Sequence, residues 1–322
     1  DPSPAFPSRA IVVAAADHGI AARGVSAYPT AVTRQMVANF LAGGAAINVL
    51  ARIADADLIV VDAGVAERTD GGERGAPAGV ALDARDGAPR ATVRFHSAPI
   101  RRGTADMSVG PAMLRTEAEA AIGLGLQVGA TLVASGTSIV GVGEMGIGNT
   151  TAASAVVAVM AGADPADVTG TGTGIDAGAR ARKIDLIERS IAVNRPDAAD
   201  PVGVLAAVGG LEIGVLVGVI LGCVAGRVPV ILDGFITGAA ALLAVRLAPA
   251  VAPRLIASHR SPEPGHAIAL DRLGARPLLE LDLRLGEGSG AALALGLLDA
   301  ACAVRDGMAT FASAAVAGPS ES

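Results

Sequence analysis

Aromatic side chains, cysteine and lysine are scarce in this chain. Tryptophan is absent, tyrosine occurs once and aromatics make up 2% of 322 residues, with a net charge of −6. No basic block is present. Binding to nucleic acid needs a cationic stripe and stacking side chains, so no nucleic-acid partner is expected. The two cysteines, Cys223 and Cys302, lie inside apolar runs and read as small buried hydrophobes in a reducing compartment. His18, His96, His259 and His266 show no metal-ligand spacing, so neither a catalytic zinc nor another metal or cofactor is expected. Residues 1–9 are polar and proline-rich, without the basic start and apolar middle of a signal peptide, and the expected location is cytoplasmic.

Charge is thin as well, and what replaces it is alanine, valine and glycine. Hydrophobic residues reach 52% and the mean hydropathy is +0.53, which invites a membrane reading. The longest uncharged run, residues 120–143, contains Gly123, Gly125, Gly129, Gly136 and Gly141 together with Gln127, Thr131, Ser135, Thr137 and Ser138. Residues 145–163 and 213–226 are bounded by Glu144, Asp164, Glu212 and Arg227, and the second run is shorter than the roughly 20 residues of a span. No membrane span is expected. Such a composition suits strands covered on both faces by helices, in a chain long enough for one large domain or two modest ones.

In order, the chain reads as alternating strands and helices, an α/β pattern. Residues 11–16 form a buried strand ending in Asp17-His18-Gly19. Residues 30–53 carry Val32, Met36, Phe40 and Leu41 at helical spacing, and residues 58–61 form the next strand, ending at Asp62. Residues 67–90 read as a long mobile loop rather than a domain linker. A helix is expected over residues 111–126, with Pro111 near its first turn. Residues 228–232 form a strand ending in Asp233-Gly234-Phe235, and residues 255–257 a shorter one ending in Ser258-His259-Arg260-Ser261.

Two glycine-rich stretches carry the chemistry. In Leu285-Gly286-Glu287-Gly288-Ser289-Gly290, three alternate glycines hold one carboxylate ahead of an apolar run, residues 291–302, that reads as a buried helix. In Gly141-Val142-Gly143-Glu144-Met145-Gly146-Ile147-Gly148-Asn149-Thr150-Thr151, a turn leads from an apolar run at 132–142 into a helix expected at 152–161. A turn of this kind offers backbone N–H groups to an anion such as phosphate. Residues 141–146 match G-x-G-x-x-G, a weak pattern here because its companion acid is only loosely met by Asp164. Residues 143–150 match the P-loop except that Asn149 stands in place of its lysine, which disfavours an ATPase. The alternative is a tight turn that serves strand–helix packing. Gly170-Thr171-Gly172-Thr173-Gly174-Ile175-Asp176 is a further flexible turn, followed by Lys183, the only lysine among 25 basic residues. It is either a compact charge for a phosphate oxygen or a surface residue. Loops that follow parallel strands gather at the carboxyl edge of the sheet, where open α/β folds bind ligands.

These segments resemble a known family. Ala16-Asp17-His18-Gly19, Gly24-Val25-Ser26-Ala27-Tyr28-Pro29, Val32-Thr33, Asn39-Phe40-Leu41-Ala42-Gly43-Gly44, Gly103-Thr104-Ala105-Asp106, Gly110-Pro111-Ala112-Met113, residues 141–151, Asp233-Gly234-Phe235, Ser258-His259 and residues 284–292 occur in the order found in nicotinate-nucleotide-dimethylbenzimidazole phosphoribosyltransferases. The resemblance extends over residues 11–304. It implies a homodimer with a Rossmann-like, mostly parallel sheet flanked by helices and a smaller helical region. The chain is then a single unit, with the α/β core at about 10–290 and C-terminal helices at about 290–316. The implied reaction belongs to cobalamin lower-ligand synthesis: nicotinate mononucleotide plus 5,6-dimethylbenzimidazole gives α-ribazole 5′-phosphate and nicotinate. A Lys-Pro-x-Gly-Ser-Leu-Gly-like segment that usually precedes the first strand in the family is not found in this sequence.

By the same resemblance Glu287 is the general base. The 5′-phosphate falls to Gly146, Asn149, Thr150 and Lys183, the ribose to Glu144 and Asp233, and the benzimidazole to Tyr28 and Met36. Ser261 bonds phosphate or ribose, or caps the helix after it, and Met36 is alternatively a core residue on an apolar helical stripe. The pyridinium nitrogen of the mononucleotide departs neutral, so the leaving group needs neither metal nor acid. The attacking azole needs a carboxylate to take the proton from its other nitrogen. A helix start lowers the pKa of such a carboxylate, and an apolar pocket raises it. The alternatives are a binding protein that keeps the nucleotide pocket without turnover, and a membrane protein.

Overall fold

The structure, a computed structural model, describes residues 5–66, 80–81, 92–172 and 174–317. Along the chain run strand β1 (Arg9–Ala16), helices α1 (Ala31–Ala42) and α2 (Ala46–Ile53), strands β2 (Ala56–Gly64), β3 (Val80–Ala81) and β4 (Thr92–Ser97), and helix α3 (Arg115–Ala134). Strand β5 (Ile139–Met145) and helices α4 (Asn149–Ala161), α5 (Pro165–Val168), α6 (Ala177–Asn194), α7 (Pro201–Val208) and α8 (Leu211–Ala225) come next. Strand β6 (Val230–Leu232), helix α9 (Phe235–Leu247), strand β7 (Leu255–Ala257) and helices α10 (Pro264–Leu273) and α11 (Ser289–Gly307) complete the order.

The strands form one sheet in the order β3-β4-β2-β1-β5-β6-β7. Neighbours pair in parallel except β3, which runs antiparallel to β4. Because successive strand side chains point to opposite faces, β1 divides its residues between two cores. Ala10, Val12, Ala14 and Ala16 join helices α3, α4, α7, α8 and α9 in one cluster. Ile11, Val13 and Ala15 join Val37 and Phe40 of α1, Ile47 and Ala51 of α2, and Ala291 and Leu295 of α11 in the other. The sheet is therefore covered on both faces, which is why its strands read as continuous apolar runs. This is the mostly parallel α/β sheet expected.

The glycines of the uncharged run at 120–143 have a packing role. A Cβ at Gly125 would come within 2.0 Å of the Val215 carbonyl oxygen, and one at Gly129 within 2.9 Å of that of Val219, so α3 and α8 pack backbone to backbone. Among the described residues one stretch, Ala31–Ile53, is long and apolar enough to cross a membrane. It is two helices. Gly43 closes α1 at φ 79°, and buried Asn48 donates to the Phe40 carbonyl at 2.8 Å and accepts from the Ala45 N–H at 3.0 Å, stitching α2 back onto α1.

Several boundaries differ from expectation. The helix expected from Pro111 begins at Arg115 and continues to Ala134. Residues 112 and 113 donate their backbone N–H groups to the carbonyls of Ala207 and Ala206 instead of entering a helix, which outweighs the favourable first-turn proline. The run at 132–142 divides between the end of α3 and β5. Helix α4 starts at Asn149, earlier than 152. The apolar run at 291–302 is helical as expected, but Leu293, Leu297 and Val304 are exposed, and only the first half of α11 is buried. Cys302 is accordingly half-buried, whereas Cys223 is buried. Apart from β3, the loop expected at 67–90 lies outside the described residues.

Candidate active site

The carboxyl ends of β1, β5, β6 and β7 are adjacent in the sheet, and their loops meet over it. A cleft there is lined by Glu144, Gly146, Asn149, Thr150, Asp233 and Ser261, all expected from the sequence, together with His259, Glu263, Arg284 and Gly286. Ser261 stands two residues before Glu263, the N-cap of α10, so it does not cap that helix. Its N–H instead donates to His266 Nδ1 at 2.9 Å.

Glu287 is buried one residue beyond Gly286 of the cleft wall. Its φ is 65°, between Gly286 at 65° and Gly288 at 87°. A left-handed backbone costs a non-glycine residue about 1–2 kcal/mol, so this loop is held by what surrounds it. Strand β5 passes directly beneath: a Cβ on Gly143 would come within 2.1 Å of the Gly288 nitrogen. Two further bonds come from the end of β6, where Asp233 accepts the Gly288 N–H at 3.0 Å and the Gly290 N–H at 2.7 Å. The Glu287 carboxylate accepts the Ile47 N–H at 3.4 Å, at the start of α2.

Three largely buried carboxylates thus gather at the carboxyl edge of the sheet. Burial first, and then the charge of Asp233, push Glu144 up to about 8, against the opposing amide of Asn149, which donates to it. Burial raises Asp233 to about 7 against the N–H groups of Gly288, Gly290 and Ala291. Glu287 is also raised by burial, with the Ile47 N–H pulling the other way. Of the two opposed influences expected on Glu287, burial wins. Carboxylates desolvated in this way favour a cationic guest, which restores their ionised form.

On the other side of the cleft, Gly148 at φ 96° begins α4. Lys183, on α6, is fully buried and donates from Nζ to Thr150 Oγ1 at 2.8 Å. The surface alternative for this lysine is ruled out. Burial lowers its pKa to about 8, partly countered by the charge of Glu263, which accepts the Gly172 N–H at 2.8 Å.

Tyr28 and Met36 are not gathered with the rest. Tyr28 is 53% exposed and lines a neighbouring shallow cleft with Thr171, Gly172, Gly174 and Arg284. Met36 packs half-buried against the second core cluster.

The sequence did not single out the pair formed by His18 and Glu212. Nε2 of His18 lies 2.8 Å from Oε1 of Glu212, and both side chains are buried. Burial lowers the His18 pKa, but the charge and hydrogen bond of Glu212 outweigh it and the net shift is upward. Gly146 lies directly over the ring: a Cβ there would come within 3.4 Å of His18 Nε2. The available signal was Glu212 itself, an acid at the head of a run without another charge, which reads as a boundary and turns out to be wholly buried.

Comparison with known proteins follows the same lines. The family described as Phosphoribosyltransferase matches residues 1–316. A nicotinate-nucleotide–dimethylbenzimidazole phosphoribosyltransferase of Roseiflexus sp. (strain RS-1) is 51% identical over 322 residues, 99% of this chain and 84% of the relative. The protein of that name from Geobacter metallireducens is 49% identical over 98% of this chain and 83% of its own length. Among solved structures, CobT from Thermus thermophilus superposes with a TM-score of 0.86 at 43% identity, covering 98% of this chain and 89% of its own.

Proposed function

Because the chain belongs to the nicotinate-nucleotide–dimethylbenzimidazole phosphoribosyltransferase family, we propose that it moves the 5-phosphoribosyl group of nicotinate mononucleotide onto 5,6-dimethylbenzimidazole, with Glu287 as general base. In this reading the C1′–N bond to nicotinate breaks and its electron pair neutralises the pyridinium. One azole nitrogen bonds C1′, and the proton on the other passes to Glu287. A carboxylate raised by burial holds that proton more firmly than an exposed one, which suits a base. Glu144 faces the ribose and the cationic character at C1′. The 5′-phosphate lies over Gly146, Asn149 and Thr150 with Lys183 behind, and Ser261 bonds phosphate or ribose. Tyr28, in the neighbouring cleft, and Met36, against the second core cluster, take the azole, which requires the azole site to reach beyond the main cleft.

The observation that carries the reading is Glu287, kept in a left-handed conformation beside Glu144 and Asp233, at a cost a structural turn between glycines has no reason to bear. Residues 1–322 act as one unit in this reading, and the exposed apolar side chains of α11 and α2, Leu293, Leu297, Val49 and Ile53, suit the homodimer expected.

The test is direct. Mixing the protein with nicotinate mononucleotide and dimethylbenzimidazole is expected to release nicotinate. Calorimetry showing that both substrates bind, with no nicotinate formed, would overturn the enzyme reading in favour of a nucleotide-binding protein.

A further inference from the structure

Asp233 lines the cleft, yet its carboxylate is turned to the backbone. One oxygen accepts the Gly288 N–H and the other the Gly290 N–H, from 55 and 57 residues away in sequence, and the Ala291 N–H adds to them. These amides belong to the first turn of α11 and its entry. Gly288, the N-cap of that helix, has no side chain to satisfy them, and a helix start leaves N–H groups that need an acceptor. The approach depends on Gly290 lacking a Cβ, which would come within 2.8 Å of Asp233 Oδ1 and 2.2 Å of His259 Nδ1. Asp233 is itself fixed from behind: Ser258 Oγ donates to its carbonyl at 2.7 Å. The rigid end of β6 is thereby tied to a loop whose central residue is Glu287.

We propose that Asp233 is a positioning residue, a cap for α11 supplied from another strand, which locks residues 286–290 and aims Glu287 at the azole instead of binding the ribose. The inference rests on the reading of Glu287 as base. It separates kcat from KM. A ribose ligand would act on mononucleotide binding, whereas a residue that aims the base acts on the chemical step, where a displacement of about 1 Å costs on the order of 10²-fold.

In Asp233→Asn one of the two contacts becomes N–H against N–H. The expected result is a kcat lower on the order of 10²-fold, with KM for nicotinate mononucleotide within about twofold. The acid side of the pH–kcat profile should also change. In the wild type, protonation of Asp233 as pH falls through about 7 undoes the cap, and protonation of Glu287, itself raised by burial, removes the base; in the variant only Glu287 remains, so the limb loses one proton of steepness. Gly290→Ala leaves the acid in place and intrudes on the same contact, and it should show the same split if Asp233→Asn does not fold. A raised KM at unchanged kcat, or wild-type kcat in both variants, would overturn the proposal. Hydrogen exchange of the Gly288 and Gly290 amides gives a readout independent of turnover: protection must fall in Asp233→Asn, and unchanged protection overturns the inference. A wild type that releases no nicotinate, with the Gly288 and Gly290 amides protected as expected, refutes the assignment of the base and leaves the capping role standing.

Discussion

Helices α4 and α11 begin in nearly the same way and serve opposite charges. Each has a glycine N-cap in the left-handed region, Gly148 at φ 96° and Gly288 at φ 87°, and neither carries an acid in its first turn or a side-chain cap bond. At α4 the buried ammonium of Lys183 reaches Thr150, which adds positive charge to a helix end that is already positive. At α11 the amides are taken by Asp233. In the proposed reading, one local backbone design therefore serves an anion where a cation backs it and mounts a carboxylate where an acid fills it. What distinguishes the two ends comes from residues far away in sequence.

The largest way to sharpen this comparison is Glu287→Gln. On the carboxylate side kcat should fall by about 10²- to 10⁴-fold with KM for the mononucleotide nearly unchanged, as initial rates of nicotinate release would show. Lys183→Met keeps the buried volume and removes the charge behind α4. Loss of one charge-assisted bond, about 1.5–3 kcal/mol, should raise KM for the mononucleotide about 10- to 100-fold and leave azole binding alone. Asn149→Asp puts an acid at the start of α4, as Asp233 does for α11 from the end of β6, and sets a second carboxylate against Glu144. Binding of nicotinate mononucleotide by calorimetry should weaken about 3- to 10-fold, in keeping with helix-end charge effects of up to about 2 kcal/mol; unchanged affinity would break the comparison.

The smallest effect concerns stability. Glu144 is raised from 4.5 to about 8, so between those values the folded protein holds a proton that the unfolded chain releases. Stability therefore falls as pH rises through this window and levels off above it. Glu144→Gln has no such proton. Its melting temperature should match the wild type near pH 5 and exceed it by at least about 2 °C near pH 9.

The sheet and the carboxyl-edge loops were legible because they depend on local pattern. The apolar runs marked the buried strands, and the glycines at 143 and 288 marked where backbone meets backbone. What escaped depends on distant partners. The depth of Lys183 follows from packing of α6 against α4, and no spacing around a single lysine announces it. The start of α3 was misplaced because residues 206 and 207 pair with the segment ahead of it. Residues 30–53 kept a helical period on both sides of Gly43, and the break appears only through Asn48 reaching back to Phe40. The azole role of Tyr28 and Met36 rests on the family resemblance, and both stand outside the main cleft.

The backbone of Glu287 carries one more consequence. At φ 65° this is a place where glycine fits without strain, and Glu287→Gly would relieve about 1 kcal/mol while removing a buried acid. A breeding experiment that rewarded heat resistance alone would thus drift toward a sturdier and chemically silent protein. Under the proposed role of Glu287, its carboxylate serves turnover against the preference of its own main chain.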